Sequence, residues 1–436
     1  MVIRNLLALL IFYSVGFCAT IANVYGVTLN AADCSQASIQ SAVNASSSGD
    51  TVVVPSGTCT WSSSVRITNA IALKGAGIGS TVINNAMNSL YGTGLIEYAP
   101  TAAEATKAFE LSGFTLDGKY ISGCFLASAP NATTAITGLK IHDNNFVNGN
   151  SRAIILSGLE FGVFYSNQFQ DNYIAISVIG SEMNGWNYPL TQGGVNYPFF
   201  EDNTFKQSIA RGGFIVETGR GGRIVFRNNT ITGYGGAGGE VWDAHGVNGT
   251  YPTDTGTVSI EYYNNNVGLS ASSRLLNHRG GKAIVFNNTV TGNRGDINMT
   301  EYQGWSYCTS QSYPKYQQVN NSLYWNNTTG GSSLNAALYC ASGDCASSCT
   351  PAQYDSAYIQ LNRDYWLPTS GLDVARPGTC ADNAFYASTD TRIIYKCHPA
   401  NTWTAYYRPY TFPHPLRSGA LSAVLSAPQN LRVTNP

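Results

Sequence analysis

Charged side chains are scarce in this chain of 436 residues. Only 11% of the residues are Asp, Glu, Lys or Arg, and the formal net charge is −1. A protein that binds nucleic acid needs a basic face, so the composition argues against a nucleic acid partner. Helical periodicity is also missing, because no stretch keeps a 3.6-residue apolar spacing over three turns. These two absences argue against a nucleic-acid-binding protein and against a mainly helical one.

Long apolar runs are confined to the start of the chain. Arg4 supplies a positive charge, residues 6–22 an apolar stretch, and residues 24–26 a small-residue cleavage site. This pattern predicts a secretion signal over residues 1–26 that is cleaved near Gly26. No later run is long enough to span a membrane. We therefore expect a secreted, extracellular protein with no membrane partner.

A six-residue phrase of the form apolar-x-polar-Asn-polar-apolar recurs along the middle of the chain. Each copy is a short β-favouring run followed by a second short apolar run, which fits a sheet. Repeats of this size mark stacked architectures. A coil of roughly 22 residues with variable inserts predicts an all-β, right-handed parallel β-helix, in which like residues stack about 4.8 Å apart. The shared asparagines are Asn144, Asn167, Asn203, Asn229, Asn265, Asn288 and Asn327.

The asparagine column has two interpretations. The first is an internal ladder at a sharp turn, in which stacked side-chain amides bond one another. The second is glycosylation, because Asn228, Asn287 and Asn326 begin Asn-x-Thr sequons, as do Asn131, Asn248 and Asn298. We favour the ladder, since buried polar groups must find partners and stacked turns supply them.

The chain divides into a core domain with two short flanks. Residues 27–72 form an N-terminal cap with a helical segment at 33–43, residues 73–330 form the coils, and residues 331–417 form a C-terminal cap. Residues 418–436 read as a linker-like tail. His414 lies between two prolines in an extended segment, which favours a structural role. One β-helix domain over 27–417 is therefore predicted, and we expect a monomer.

Nine cysteines remain after the predicted signal, and a secreted protein would use them for disulfides. Cys34 with Cys59 would staple the N-terminal cap, whereas Cys124 in an apolar run is the odd, buried thiol. A zinc site in the C-terminal region is the weaker alternative, because paired Cys-x-x-Cys spacing is absent. The pairs Cys345–Cys349 and Cys380–Cys397 are plausible there, although connectivity does not follow from sequence.

Segments 49–61 and 71–83, together with the asparagine phrases and segments 221–225 and 279–282, resemble the pectate-lyase-like superfamily of secreted right-handed parallel β-helix proteins. The resemblance covers about residues 30 to 330 and implies the fold. The superfamily includes lyases, glycoside hydrolases, esterases and non-enzymatic adhesins, so it leaves the activity open.

Three successive coils carry titratable residues just before a glycine. Alignment on Gly246, Gly280 and Gly304 predicts two columns on one face of the sheet, and a one-residue slip would exchange the faces. The first column contains Asp243, Asn277 and Glu301, and the second contains His245, Arg279 and Gln303. The same alignment turns Glu217, His278 and Tyr302 to the other face or to the bend.

This cluster favours a polysaccharide lyase that cleaves a uronate-containing glycan by β-elimination. That reaction needs a base at C5, a group that neutralises the carboxylate, and an acid for the leaving oxygen. We assign Arg279 as carboxylate clamp or base, His245 as base, and Tyr302 or His278 as acid. Asp243 and Glu301 would orient these groups or bind a cation. Candidate substrate-binding residues are Glu217, Arg220, Trp242, Trp186 and Trp305.

Several alternatives stay open. Asp243 and Glu301, two coils or about 9.6 Å apart, could serve an inverting glycoside hydrolase. The cluster could also be a solvated ion-pair network, and the loops with Trp186 and Trp305 could bind glycans without catalysis. In similar lyases calcium binds the uronate; no dense aspartate cluster of calcium type appears here, so calcium stays an open alternative and no cofactor is certain. The lyase hypothesis fails if His245 and Arg279 point inward or lie more than about 10 Å apart.

Overall fold

The computed structural model describes residues 26–89, 93–128, 134–209, 213–235, 240–247, 253–300, 317–339 and 355–418. Three long sheets dominate it, with twelve, eleven and ten strands, which we call sheets 1, 2 and 3. Each coil of the chain gives one strand to each sheet in turn, and successive coils pair in parallel. This topology confirms the predicted parallel β-helix, whose handedness follows the right-handed rule for parallel crossovers.

The strands are short, as the sequence predicted. Sheet 1 contains Thr28–Asn30, Thr51–Val53, Ala72–Lys74, Phe109–Ser112, Ile136–His142, Glu160–Tyr165, Pro198–Glu201, Arg223–Arg227, Ser259–Tyr263, Lys282–Phe286, Ser322–Trp325 and Tyr365–Trp366. Sheet 2 contains Gly57–Trp61, Thr81–Asn85, Phe114–Asp117, Asn145–Val147, Gln168–Gln170, Thr204–Lys206, Thr230–Tyr234, Asn266–Leu269, Thr289–Gly292, Thr328–Thr329 and Ser332–Ser333. Sheet 3 contains Val65–Ile67, Gly94–Tyr98, Cys124–Ser128, Arg152–Leu156, Ile174–Ile179, Val216–Gly219, Glu240–Ala244, Ser273–His278, Gly295–Met299 and Ala336–Leu338.

Helices are few and lie outside the stack. Within the described ranges, the α-helices are Gln36–Ala45, Met183–Asn187 and Asp355–Tyr358, and two 3₁₀ helices span Asp373–Ala375 and Pro415–Ser418. A fourth sheet near the C-terminus contains Thr369–Gly371, Phe385–Ser388, Ile394–Cys397 and Trp403–Tyr407. None of the described helices is long and apolar enough to cross a membrane.

The asparagine ladder is present at the turn between sheets 1 and 2. The Nδ2 group of Asn229 donates to Oδ1 of Asn265 at 3.1 Å, and Asn265 donates in the same way to Asn288 at 2.9 Å. Equivalent bonds join Asn144, Asn167, Asn203 and Asn229 in order, and Asn288 to Asn327. All seven asparagines are buried. The ladder interpretation is therefore confirmed.

The left-handed backbone of this turn belongs to the residue before each ladder asparagine. Asn228, Asn264, Asn287 and Asn326 have φ values of 55°, 57°, 53° and 51°. The sequon asparagines Asn228, Asn287 and Asn326 therefore stand just outside the ladder, and the last two are exposed. The two interpretations thus concern different residues, and glycosylation stays a prediction.

The N-terminal end of the stack carries the predicted helix, and two of the predicted disulfides are present. The helix Gln36–Ala45 begins at Ser35, whose side chain accepts from Ser38 N, and it caps the first coils. The disulfides Cys34–Cys59 and Cys380–Cys397 are formed, and Cys124 is buried. The predicted signal, Cys308, Cys340, Cys345, Cys349 and the tail after residue 418 lie outside the described residues.

The Pro-flanked segment near the C-terminus lies along the outer face of sheet 1. Buried Arg227 pairs with Glu201 at 2.6 Å and donates to the carbonyls of Tyr410 and Thr411 at 2.6 and 2.8 Å. The backbone N–H of His414 donates to Glu201 at 2.8 Å. Burial is the first cause that lowers the pKa of His414, to about 3, so its ring is neutral. The predicted structural role of His414 agrees with these contacts.

Candidate functional site

An outward-facing polar column crosses several strands of sheet 3. The strand register places Glu217 beside Asp243, Asp243 beside Asn277, and Asn277 beside Asn298. Their chain neighbours point into the core, because side chains alternate along a strand. The column therefore projects from the side of the solenoid, where a long polymer could lie across it. We call this column and the polar residues around it on sheet 3 the groove.

The glycine alignment was correct for two coils and wrong for two others. Asp243 and Asn277 share a column as predicted, and the Arg279 N–H donates to the Ala244 carbonyl at 2.9 Å, beside His245. Glu217 is one residue out of the predicted register and joins the column instead of facing away. Asn298 occupies the position predicted for Glu301, since the strand there is Gly295–Met299. The coils bend at different points, so glycine does not mark a fixed position.

The centre of the column is a compact ion-pair network. Nη2 of Arg279 donates to Oδ2 of Asp243 at 2.6 Å, and Nε donates to Oδ1 at 3.1 Å. The same Nη2 lies 2.5 Å from Nδ1 of His245, whose Nε2 lies 2.9 Å from Oδ2 of Asp243. The Asp243 side chain is 1% exposed, compared with 11% for Arg279 and 22% for His245. Asp243 thus lies beneath the other two and holds them in place.

Burial and charge act in opposite directions in this network. Burial would raise the pKa of Asp243, but His245 and Arg279 outweigh it and hold that pKa below its usual range. Burial would lower the pKa of His245, but Asp243 and Glu217 outweigh it and raise that pKa to about 9, against the opposing charge of Arg279. Asp243 is therefore a carboxylate at neutral pH, and His245 holds a proton more strongly than an ordinary histidine.

Residues on the neighbouring coils extend the network. Arg152 donates to the two carboxylate oxygens of Glu217 at 3.1 and 3.2 Å, and the Ser177 hydroxyl donates at 3.1 Å. Burial would raise the pKa of Glu217, but His245 and Arg152 lower it. Sequence reasoning missed Arg152 and Ser177. Arg152 lies 65 residues before Glu217, and its only signal was a charge at the start of an apolar run.

On the other side of Asp243, a second pair faces the same surface. Glu240 accepts from Asn277 Nδ2 at 3.2 Å and lies 3.4 Å from Nη1 of Arg274. Burial, followed by the charge of Asp243, raises the pKa of Glu240. The Arg274 guanidinium lies 4.6 Å from the ring centre of Tyr339, which is 40% exposed. An accessible aromatic ring beside amide and guanidinium groups is a suitable surface for a sugar.

Two predicted site residues are inside the solenoid. His278 is fully buried, with Nδ1 2.6 Å from the Tyr324 hydroxyl and Nε2 2.9 Å from the Gly280 carbonyl. Burial lowers its pKa to about 4, so the ring is neutral and has no access to the groove. Trp242 is also fully buried and packs 4.8 Å from Tyr262. The predicted roles of His278 as acid and Trp242 as sugar platform are wrong, because both side chains point into the core.

Two others lie at the margin of the groove. Arg220 is exposed at the turn after strand Val216–Gly219 and pairs with Glu182 at 3.1 Å and Asp254 at 3.7 Å. Half-buried Trp186, in the helix Met183–Asn187, donates its indole N–H to the Gly256 carbonyl at 2.9 Å. Their substrate-binding roles stay predictions. Glu301, Tyr302, Gln303 and Trp305 lie outside the described residues.

The groove carboxylates do not fit a calcium site. Asp243 is bonded to Arg279 and His245, and Glu217 to Arg152, so cations of the protein already neutralise these oxygens. No group of three or more His, Cys, Asp or Glu side chains within the described ranges is arranged to hold a metal ion.

Several solved structures are similar to parts of this chain. The PL6 family alginate lyase AlyGC matches with a TM-score of 0.45 and 14% identity, over 72% of this chain and 39% of that one. The Azotobacter vinelandii mannuronan C-5 epimerase AlgE6 A-module matches with a TM-score of 0.36 and 16% identity, over 69% of this chain and 79% of that one.

A third similar structure belongs to a different enzyme class. The catalytic domain of a GH87 α-1,3-glucanase matches with a TM-score of 0.34 and 10% identity, over 72% of this chain and 66% of that one. Another similar structure is Geobacillus virus E2 ORF18, of which this chain covers 53%. This chain therefore spans about half or less of the length of ORF18 and of the PL6 alginate lyase. No family model matches the sequence, and neither does any curated protein. Any assignment of activity therefore depends on the groove itself.

Proposed function

We propose that the protein is a secreted polysaccharide lyase that cleaves an acidic, uronate-containing glycan by β-elimination. One observation carries this proposal. His245 and Arg279 project from the outer face of sheet 3, 2.5 Å apart, with the Asp243 carboxylate buried behind them. A candidate base, a carboxylate-binding cation and an orienting anion thus meet on a rigid surface beside a polar column.

The contacts suggest how a substrate would activate the base. In the free protein the Arg279 guanidinium covers Nδ1 of His245. An incoming uronate carboxylate would compete for that guanidinium, because planar bidentate pairing with carboxylates is the preferred geometry of arginine. The base is the neutral ring, which forms as the pH rises through the His245 pKa of about 9 and keeps its one proton on Nε2, 2.9 Å from Asp243. In that form the movement of Arg279 would expose the Nδ1 lone pair, so cleavage should become faster toward alkaline pH.

The elimination then follows with balanced atoms and electrons. Nδ1 of His245 takes the proton from C5 of the uronate, and the C–H electron pair forms the C4–C5 double bond. The C4–O bond breaks, and the leaving oxygen receives a proton from the acid, for which Tyr302 remains the prediction. Arg279 neutralises the charge that develops on the substrate carboxylate, and Asp243 stabilises the imidazolium.

Asp243 is a poor acid for the hydrolase alternative, which would have to use another carboxyl group such as Glu240, whose pKa burial raises. A glycosidase needs a carboxyl group that keeps a proton until it reaches the leaving oxygen. The pKa of Asp243 is instead lowered, since His245 and Arg279 outweigh the effect of burial, and its side chain is 1% exposed. Asp243 is therefore suited to orienting its neighbours and not to general acid catalysis.

The direct test is to incubate the protein with a panel of uronate polysaccharides and follow the ultraviolet band of the unsaturated uronate product. We expect His245→Ala to lower kcat by about 100-fold or more, as loss of a general base does. Arg279→Lys should raise KM, because the charge remains while the bidentate geometry is lost. Arg294→Lys is the matched control, since Arg294 is 78% exposed and pairs only with the adjacent Asp296 among described residues.

Two results would reject the lyase. New reducing ends on a neutral glycan, with no rise in absorbance on any uronate, would assign a hydrolase. Tight binding of a glycan without either product would assign a binding solenoid. Equal loss of activity in Arg294→Lys and Arg279→Lys would remove Arg279 from the mechanism even if cleavage is found.

A further inference from the structure

A second cleft lies on a different face of the solenoid from the groove. It has a volume of about 520 Å³ and lies between the last residues of the sheet 1 strands and the C-terminal sheet. Asparagines of the sheet 1–sheet 2 turn form one wall, and residues 387–394 and 408–412 form the other. The groove column is on sheet 3, so the two surfaces are separate.

Two arginines distinguish this cleft from the rest of the surface. Arg392 and Arg408 both line it and are both exposed. Neither has a carboxylate within ion-pair distance in the described part of the chain, whereas the other described arginines contact carboxylates or, for Arg223, backbone carbonyls. Two unneutralised cations at one cleft indicate an anionic ligand.

Among the described residues, none that lines the cleft is acidic. Asp390, two residues before Arg392, keeps its negative charge, but it does not line the cleft, and its carboxylate accepts from Ser388 Oγ at 2.7 Å and Asp373 N at 2.8 Å. It offsets one of the two arginine charges at most. Glu201 lies beneath Arg227 and is fully buried in that pair. The exposed charge of the cleft is therefore positive.

The remaining lining suits a sugar chain. Asn264 and Asn287 present amides from successive coils, and Thr389 and Thr391 present hydroxyls from the opposite wall. Successive amides stand about 4.8 Å apart along the solenoid axis, so they offer a repeated set of donors and acceptors. Beneath them a stack of three aromatic rings, Tyr263, Phe286 and Trp325, with centroids 4.6 and 4.2 Å apart, forms a stiff floor.

We propose that this cleft is an accessory binding site for an anionic oligosaccharide. Arg392 and Arg408 bind carboxylate groups of the chain, and the asparagine and threonine side chains bind its hydroxyls. The site holds a polymer to the protein without acting on it. This inference does not depend on the proposed lyase activity, because it concerns different residues on a different face.

The test compares binding of alginate oligosaccharides with binding of the same material after its carboxyl groups are reduced to alcohols. Measurements use His245→Ala protein, so that any turnover at the groove is suppressed. We expect Arg392→Asn/Arg408→Gln to weaken alginate binding roughly three- to tenfold, the range for two exposed charge pairs. Asparagine is chosen at position 392 because Arg392 has a φ of 59°, which asparagine tolerates. Lys206→Gln, which removes an exposed charge from sheet 2, is the control.

Hydrogen exchange then locates the ligand. Alginate should protect segments 386–394 and 408–412 in the His245→Ala background, and the protection should disappear in the double arginine variant. Thermal unfolding checks that this variant is folded. Equal affinity for intact and carboxyl-reduced material, or unchanged cleft protection in the folded double variant, would overturn the accessory site. Cleavage assays on short substrates would be unaffected by either result, so the two proposals fail independently.

Discussion

The strongest test of the groove network is the single substitution Asp243→Asn. It keeps the shape of the side chain and removes the charge that raises the pKa of His245 against the effect of burial. An opposite charge within 4–6 Å commonly moves a pKa by 1–3 pH units. Since Oδ2 of Asp243 is 2.9 Å from Nε2, we expect the His245 pKa to fall by about that much from its value of about 9.

The same coupling makes a stability prediction with a definite sign. Raising the His245 pKa from 6.5 to about 9 corresponds to about 3 kcal/mol of stabilisation of the folded protein. Because the folded pKa is the higher one, this contribution is complete below pH 6.5 and is lost as the pH rises through 9. In Asp243→Asn most of that loss should disappear.

Two measurements check these numbers. Histidine ring resonances give the His245 pKa by NMR titration, and urea unfolding at pH 6 and pH 10 gives the change in the free energy of unfolding. Glu240→Gln is the matched control, since Glu240 is a carboxylate of the same strand that does not contact His245 within hydrogen-bond range. If the His245 pKa stays near 9 in Asp243→Asn, or falls equally in Glu240→Gln, Asp243 does not control the ring.

Two further predictions concern the ladder and the space around His245. Asn265→Ala removes the partners of the Asn229 and Asn288 amides, so the free energy of unfolding should fall by about 2–5 kcal/mol in urea titrations. The control Asn266→Ala changes an exposed neighbour and should alter the free energy of unfolding by less than about 0.5 kcal/mol. Similar losses in the two variants would refute the stabilising role of the ladder. Gly219→Ala would place its Cβ 3.3 Å from the His245 Cβ and displace the imidazole ring. We therefore expect kcat to fall about tenfold with little change in thermal stability. An unchanged kcat would show that the position of the His245 ring is not critical.

The sequence predicted the parts of the fold that repeat. The asparagine phrase identified each ladder member because a buried amide in a stacked turn has only its neighbours as partners. The phrase did not reveal that the residue before each ladder asparagine, such as Asn264 or Asn287, has the left-handed backbone. Asparagine is suited both to that position and to the ladder position, so its presence does not distinguish them. The disulfides Cys34–Cys59 and Cys380–Cys397 are pairs that the sequence left as candidates, because connectivity does not follow from spacing.

The site was predictable only where neighbouring coils are regular. Asp243, His245 and Arg279 were placed together because strands Glu240–Ala244 and Ser273–His278 bend at the same point. Glu217 slipped by one residue because its coil bends differently, and a one-residue slip moves a side chain to the other face. Arg152 reaches Glu217 across an intervening strand, a contact that depends on side-chain length and not on spacing.

The asparagine ladder also sets how this molecule could change in length. Each amide from Asn144 to Asn288 donates to the next ladder asparagine, so each of these coils joins the next through the same bond. A whole coil could be gained or lost there without creating an unmatched amide, whereas a partial coil could not. The groove can therefore lengthen only in whole coils, each adding about 4.8 Å. For a surface that binds a polymer, the reach along the chain would thus evolve in discrete steps of one strand spacing.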